Sequence, residues 1–389
     1  MDLFKACNQW AKRPADERFW TVQDMAEACR AYATNSVEAN VRFGELRVEA
    51  RDEEIFLLGK ENIPAQLTHY SFGQVAGRVK APANYLRSLP PTLAAQNINY
   101  GLKYCRKADD EAQLLLHQNG GFLARCFTSD RYQRIWNWEI ARQLETLQDN
   151  GWRVPPARPP HGYTGQTRPA TEADVLQSSK FGLSVNIGDI IAPAGVYASD
   201  RDMFVFMIDD QRTINNPASP GVPLARGFFI WNSEVGDKSF GVMTFLYDHV
   251  CGNHIVWGVQ DVKEFRVVHM GKARYKAFGR LQAQLKHYSD LSTSEDEAKI
   301  LKCQTFEIAK TKEEMLSELM KYINKRRIQL SENNVVDAIT AAEQDERYGN
   351  PRTPWAIAQG VTVVSQRSEH ANKRVQMDKA AGKLLEIAF

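Results

Sequence analysis

The chain has no glycine-rich phosphate loop ending in Lys-Ser or Lys-Thr, no dinucleotide-binding fingerprint, no HExxH and no GxSxG elbow. Each absence removes a reading at the motif level: ATPase, Rossmann oxidoreductase, zincin and α/β-hydrolase, whose chemistries need those residues at those spacings. No stretch approaches the ~20 apolar residues needed to span a bilayer. Met1 to Trp10 lacks an apolar run and is followed by charges, so no export signal is expected. Only six cysteines occur, Cys7, Cys29, Cys105, Cys126, Cys251 and Cys303, none close enough for a CxxC pair. Scattered cysteines without an export signal suit a reducing cytoplasm and free thiols. There is no internal repeat and no low-complexity tract.

Net charge is lacking too. The formal charge is +2 over 389 residues, so global electrostatics select no partner. Local charge is segregated. Arg78 to Lys107 holds six basic residues and no acidic one, and Lys263 to Lys286 holds seven against Glu264 alone. Acidic residues collect elsewhere, as in Glu49, Asp52, Glu53 and Glu54. Such segregation builds a positive face on a nearly neutral protein, or else two solvated helix faces.

What is present reads as globular: 43% hydrophobic and 25% charged residues support a sizeable core. Helices are predicted over Thr21–Ala33, Gln66–Arg78, Pro82–Leu89, Pro90–Leu102, Glu139–Leu147, Tyr275–Tyr288, Phe306–Arg327 and Ile357–Leu385. A hairpin is predicted from Asn40–Ala50 and Glu54–Leu58, and strands over Phe122–Phe127 and Tyr132–Ile135. A meander is predicted over Met203–Ile208, Gly227–Trp231, Ser239–Leu246 and His254–Val259. Val154 to Ala170 holds five prolines and two glycines and reads as a loop or mobile linker. The class is α+β, an antiparallel β-rich centre flanked by an N-terminal α/β region and a helical C-terminal region. The expected division is 1–120, 121–290 and 291–389.

Four constellations could carry chemistry. His249, Cys251 and His254, with His269 as a fourth ligand, could hold a metal, but the spacing matches no standard module and a hairpin turn explains the first three. No metal and no cofactor are expected. As a Cys-His nucleophilic pair they lack an oxyanion hole, so no catalytic residue is assigned and an enzyme is the less favoured reading. Asn232-Ser233-Glu234-Val235-Gly236 sits among Phe228, Phe229, Trp231 and Phe240, and is either a structured turn or a base-contacting one.

The third is Arg125, Arg131, Tyr132, Arg134, Trp136 and Trp138. Single-strand binders need this mixture, because arginine neutralises phosphate and aromatic faces stack bases. The alternative places the aromatics in the core and the arginines in solvent. The fourth is Lys272, Arg274, Tyr275, Lys276, Arg280, Lys286 and His287, where Lys272, Lys276 and Arg280 recur at helical spacing. A uniform stripe repels itself unless phosphate or a neighbour's carboxylates meet it.

Several motifs resemble one family. Phe72-Gly73-Gln74-Val75 with Ala81-Pro82-Ala83-Asn84-Tyr85-Leu86-Arg87-Ser88-Leu89-Pro90 looks like its N-terminal signature. Ala124-Arg125-Cys126-Phe127-Thr128-Ser129-Asp130-Arg131-Tyr132-Gln133-Arg134-Ile135 resembles its central motif, with Cys126 where alanine is usual. Asn232–Gly236, Val250–Asn253 and Val268–Gly271 resemble its later ones. The family is the phage- and plasmid-borne domain of unknown function 932. It implies a mobile-element setting in bacteria and supplies no reaction. In element order the chain is also similar to single-strand annealing proteins of the RecT and Red-beta type. The expectation is an ATP-independent, cytoplasmic, homo-oligomeric protein that binds and anneals single-stranded DNA through Arg125, Arg131, Tyr132, Arg134, Lys272, Arg274 and Lys276. The alternative is an interaction protein that binds an acidic host factor; a metal-dependent enzyme ranks last.

Overall fold

Thr21 opens the first helix through a reciprocal cap: its hydroxyl accepts from Asp24 N at 3.0 Å, and Asp24 accepts from Thr21 N at 3.1 Å. Two of the N–H groups that a helix start leaves unpaired are thereby satisfied. The computed structural model describes residues 15–105, 107–159, 163–175, 185–193, 195–217, 223–248, 253–255, 264–367 and 371–389. The N-terminal part runs α1 (Val22–Thr34), β1 (Ser36–Arg42), β2 (Arg47–Arg51), β3 (Glu54–Leu58), β4 (Pro64–Leu67), α2 (His69–Arg78), α3 (Ala83–Ser88), α4 (Pro91–Tyr104), β5 (Glu111–Gln118) and β6 (Phe122–Ser129). Next come α5 (Asn137–Gln148), β7 (Trp152–Arg153), β8 (Arg168–Pro169), β9 (Ile190–Ile191), β10 (Val196–Ala198), β11 (Met203–Ile214), β12 (Leu224–Asn232), β13 (Phe240–Asp248), β14 (Asn253–Ile255) and β15 (Glu264–Val267). Six helices follow: α6 (Ala273–Asp290), α7 (Ser294–Thr305), α8 (Lys312–Arg326), α9 (Glu332–Gln344), α10 (Pro354–Gln366) and α11 (Ala371–Leu385).

Two large sheets organise the described residues, beside a two-stranded β8–β9 pair. The first has the order β1-β5-β6-β4-β3-β2, antiparallel except for the β4–β6 pair. Helices α2 to α4 cross over between β4 and β5, and their apolar faces (Phe72, Val75, Ile98, Leu102) pack on Val48, Leu57, Leu114 and Phe127. The second sheet runs β10-β11-β12-β13-β14, with β15 also on β13 and β7 on β11. Every residue of β12 is buried, as suits a central strand covered on both faces. Helices α1, α5 and α6 cover one face through Met25, Ile140, Leu144, Ala277 and Leu281. Helices α7 to α11 form their own core around Leu319, Ile323 and Trp355, which also takes Ile214, Leu224 and Leu246 from the sheet.

The class is α+β, with antiparallel and mixed sheets followed by C-terminal helices, as expected from the sequence. Several boundaries differ. The division at residue 120 falls inside the first sheet, where Gly120, at φ +67°, turns the chain from β5 into β6. The helix expected over Phe306–Arg327 starts only at Lys312, where Thr311 and Glu314 form a second reciprocal cap that opens α8. Tyr132–Ile135 is no strand but a single bridge, Tyr132 to Met270.

The Val154–Ala170 segment is tied down where it is described. Ala157 bridges Ala192, Arg158 pairs with Asp189 at 2.9 Å, and Arg168 pairs with Asp174 at 2.6 Å while lying 4.6 Å from the Trp20 ring centre. Proline density marked an absence of helix and ladder, which an extended but anchored segment satisfies equally well. Cys29, Cys105, Cys126 and Cys303 are free thiols; Cys7 and Cys251 lie outside the described residues.

Two glycines give opposite expectations. A Cβ on Gly360 would sit 2.1 Å from the Ala338 carbonyl oxygen, a backbone atom that cannot turn aside. Gly360→Ala should therefore push α9 from α10 and cost about 1–3 kcal/mol or more, read by urea denaturation. A Cβ on Gly279 in α6 would meet nothing, so Gly279→Ala should stabilise by about 0.5–1 kcal/mol. Equal effects at the two positions would contradict this packing.

Candidate nucleic-acid interface

The aromatic and basic residues after β6 divide between an interior junction and an exposed face. The junction is built around the turn from Asn232 to Asp237, which joins β12 to β13 and reaches across to the first sheet. Arg125, on β6, pairs with Glu234 at 3.0 Å, with both side chains all but buried, and lies 4.3 Å from the Tyr32 ring centre. The other Glu234 oxygen accepts from Asn137 N at 2.8 Å. Arg134 donates to the Glu38 carboxylate at 2.6 Å and to the Glu234 carbonyl. Asn232 donates to the Ile135 carbonyl and to Asn137 Oδ1, each at 2.8 Å. Gln74 donates to the Val235 carbonyl at 2.9 Å and accepts from Phe127 N at 2.8 Å.

Arg125 and Arg134 are thus interior counter-charges that clamp the second sheet to the first. They were expected to meet phosphate and cannot reach it. Tyr132 is also committed: its hydroxyl donates to the Ser233 carbonyl at 2.8 Å, and its ring stacks on His269 at 5.0 Å with 5° between planes. One face of that ring is taken, and burial pushes the phenol well above its ordinary range. The Asn232–Gly236 segment is a structured turn, and its polar groups bond the protein.

His269 is 3% exposed, and neither ring nitrogen has a hydrogen-bond partner. Burial pushes its imidazole down to about 4. The unfolded chain takes this proton near pH ~6.5 while the folded state refuses it. The contribution is therefore complete above that pH and lost as pH falls toward 4, at up to ~1.4 kcal/mol per pH unit. Between pH 7 and 5 the wild type should lose about 2 kcal/mol more than His269→Phe, which keeps the stack but cannot titrate. Parallel losses in denaturant titrations would contradict it. Of the other three residues considered for a metal, His249 and Cys251 lie outside the described residues, and His254 is placed only as part of β14.

The exposed face begins where the junction ends. Gln133 N donates to the His269 carbonyl at 2.9 Å beside the Tyr132–Met270 bridge, which sets exposed Arg131 next to the segment entering α6. Gly271, at φ +61°, turns the chain, and α6 starts at Lys272 with no side-chain cap. Ala273, Ala277, Leu281, Leu285 and Tyr288 face the core. At 100° per residue, Lys272, Tyr275, Lys276 and Lys286 fall on the opposite side, and all are exposed. Tyr275 is 81% exposed. Arg274 leans away and pairs with Glu139 at 2.5 Å, so its charge is already met. Among the described residues, Lys272, Lys276, Arg280 and Lys286 make no ion pair.

This start is poor for folding. The positive pole of a helix favours Asp, Glu or a capping hydroxyl, and each cation there costs up to ~1 kcal/mol. Uncapped N–H groups, unpaired lysines and a protruding ring attract an anion that can also stack. Tyr275 was visible in the sequence as the residue three positions after Lys272, but only the burial pattern of α6 shows that it faces solvent.

A cleft of about 330 Å³ opens beside Glu234, lined by Cys29, Tyr32, Ser199 and Asp200 among others. Its acidic walls have the wrong sign for phosphate, and burial raises Asp200. No protein-family description, curated protein or solved structure matches the chain.

Proposed function

We propose that the protein binds single-stranded DNA along the exposed face of α6, with Arg131, Lys272, Lys276 and Lys286 meeting phosphates and Tyr275 stacking a base. The observation that carries this reading is the uncapped, cation-lined helix start with Tyr275 81% exposed. Binding of this kind is sequence-tolerant and needs no ATP, in keeping with the missing phosphate loop. The motif resemblance to a phage and plasmid family supports a role in recombination or replication of mobile DNA. Annealing would follow if several copies aligned their α6 faces into one groove. Val268 and Met270 are 66% and 52% exposed at the same place, which favours an acidic protein partner as the second reading.

Photocrosslinking separates the two. A single-stranded DNA oligonucleotide carrying bromodeoxyuridine should crosslink, after digestion with a protease that spares Lys and Arg, to the peptide that contains Lys272 and Tyr275. Crosslinks confined to other peptides, with the protein folded, would overturn the assignment to α6. Failure of the oligonucleotide to displace an acidic peptide from the protein would favour the second reading.

A further inference from the structure

We propose that the outer face of α4 is a second strand-binding surface, so that one protomer holds two single strands at separate places; this rests on the single-strand reading of α6. Helix α4 buries Ala94, Ala95, Ile98, Gly101 and Leu102. Its opposite side carries Leu93, Tyr100, Lys103 and Tyr104, all exposed. Tyr100 and Tyr104 are 66% and 61% exposed, and their ring centres lie 4.6 Å apart. The Lys103 ammonium sits 5.1 Å from the Tyr104 ring centre, which joins a phosphate-seeking charge to a stacking surface. Tyr85 of α3 is a further 59% exposed ring nearby in sequence.

Charge points to the occupant. The stretch from Arg78 to Lys107 has six basic residues and no acidic one. Arg87 is used internally, donating to the His69 carbonyl at 2.8 Å and lying over Phe72. Lys80, Lys103 and Lys107 remain exposed. A protein partner selects an uncharged centre with charges at the rim, whereas here cation and rings are interleaved, as a polyanion with stackable bases requires. The face is also rigid. Asn99 bonds both the N–H and the carbonyl of Val48, at 2.7 and 2.8 Å, and Gly101 lies close against Val79, so α4 cannot roll on its sheet.

Binding sites for two strands on one protomer would bring two strands together for pairing, which a single surface does not provide. The test is stoichiometry. An excess of a short labelled thymidine oligonucleotide, too short to reach both helices, is titrated onto the full chain at low salt and followed by sedimentation. The wild type should bind two per protomer. The Tyr100→Ala/Lys103→Ala/Tyr104→Ala variant should bind one, as should Lys272→Ala/Lys276→Ala, each with its remaining site weakened less than about twofold. Because all these side chains are exposed, melting curves should match the wild type; Lys103→Glu alone should weaken the α4 site about tenfold or more without touching the rings. One oligonucleotide per wild-type protomer, or two retained by the α4 variant, overturns the second surface and leaves the α6 reading standing. None bound by the folded wild type overturns both.

Discussion

Glu234→Ala is expected to destabilise the folded protein by about 3–5 kcal/mol, the cost of stranding a buried guanidinium. Glu234 is 3% exposed, and its two oxygens hold Arg125 and the Asn137 N–H at once. The turn it belongs to also accepts from Arg134 and Tyr132, so a loss there loosens the whole clamp between the sheets. Removing both charges as Glu234→Met/Arg125→Met should cost less than Glu234→Met or Arg125→Met alone, because no uncompensated charge remains. Urea denaturation of the four proteins closes the cycle. A single-variant loss below about 1 kcal/mol would contradict a buried pair. An Arg125→Ala protein that keeps full stability but loses DNA would return Arg125 to the DNA.

The second large effect concerns binding. Lys272→Ala/Lys276→Ala should lower the affinity of the α6 site for single-stranded DNA at least about tenfold at low salt and flatten that site's salt dependence by about 1.4, two contacts at ~0.7 each. Tyr275→Ala should cost about 1–3 kcal/mol of binding at nearly unchanged salt slope, since a stacked base releases no counterion. The two signatures are independent: one moves the slope, the other moves the intercept. All three side chains are exposed, so melting temperatures should stay within a degree or two of the wild type. A Tyr275 variant that shifts the slope, or a lysine variant that does not, would break the assignment of roles.

Local signals were readable wherever local physics decides. Thr21, Pro82 and Pro91 mark helix starts, and α1, α3 and α4 begin beside them. The period of 3.6 places Lys272 and Lys276 on one side of α6, so the stripe is legible from spacing, while the burial of Ala273, Ala277, Leu281 and Leu285 decides that this side faces solvent. Strand β5 is not predicted from its sequence, because Glu-Ala-Gln-Leu-Leu-Leu-His-Gln has no β-branched residue; pairing with β1 and β6 makes it a strand against its propensity. Arg125 and Arg131 look alike in sequence, yet one is 2% exposed and the other is at the surface. Their fates depend on Glu234, which is 109 residues from Arg125. No pattern within a short window carries that pairing, and the buried half of the expected site was illegible for this reason.

The exposed cations of α6 and Arg131 are proposed to bind a single strand of DNA. Fluorescence anisotropy of a labelled thymidine oligonucleotide, titrated with wild-type protein at ionic strengths from low salt to physiological, tests it most directly. With four to five phosphate contacts, log K should fall against log salt with a slope of about −3, and duplex of the same length should bind more weakly. A folded wild-type protein that shows no binding at the lowest salt, or a flat salt dependence, would contradict the account.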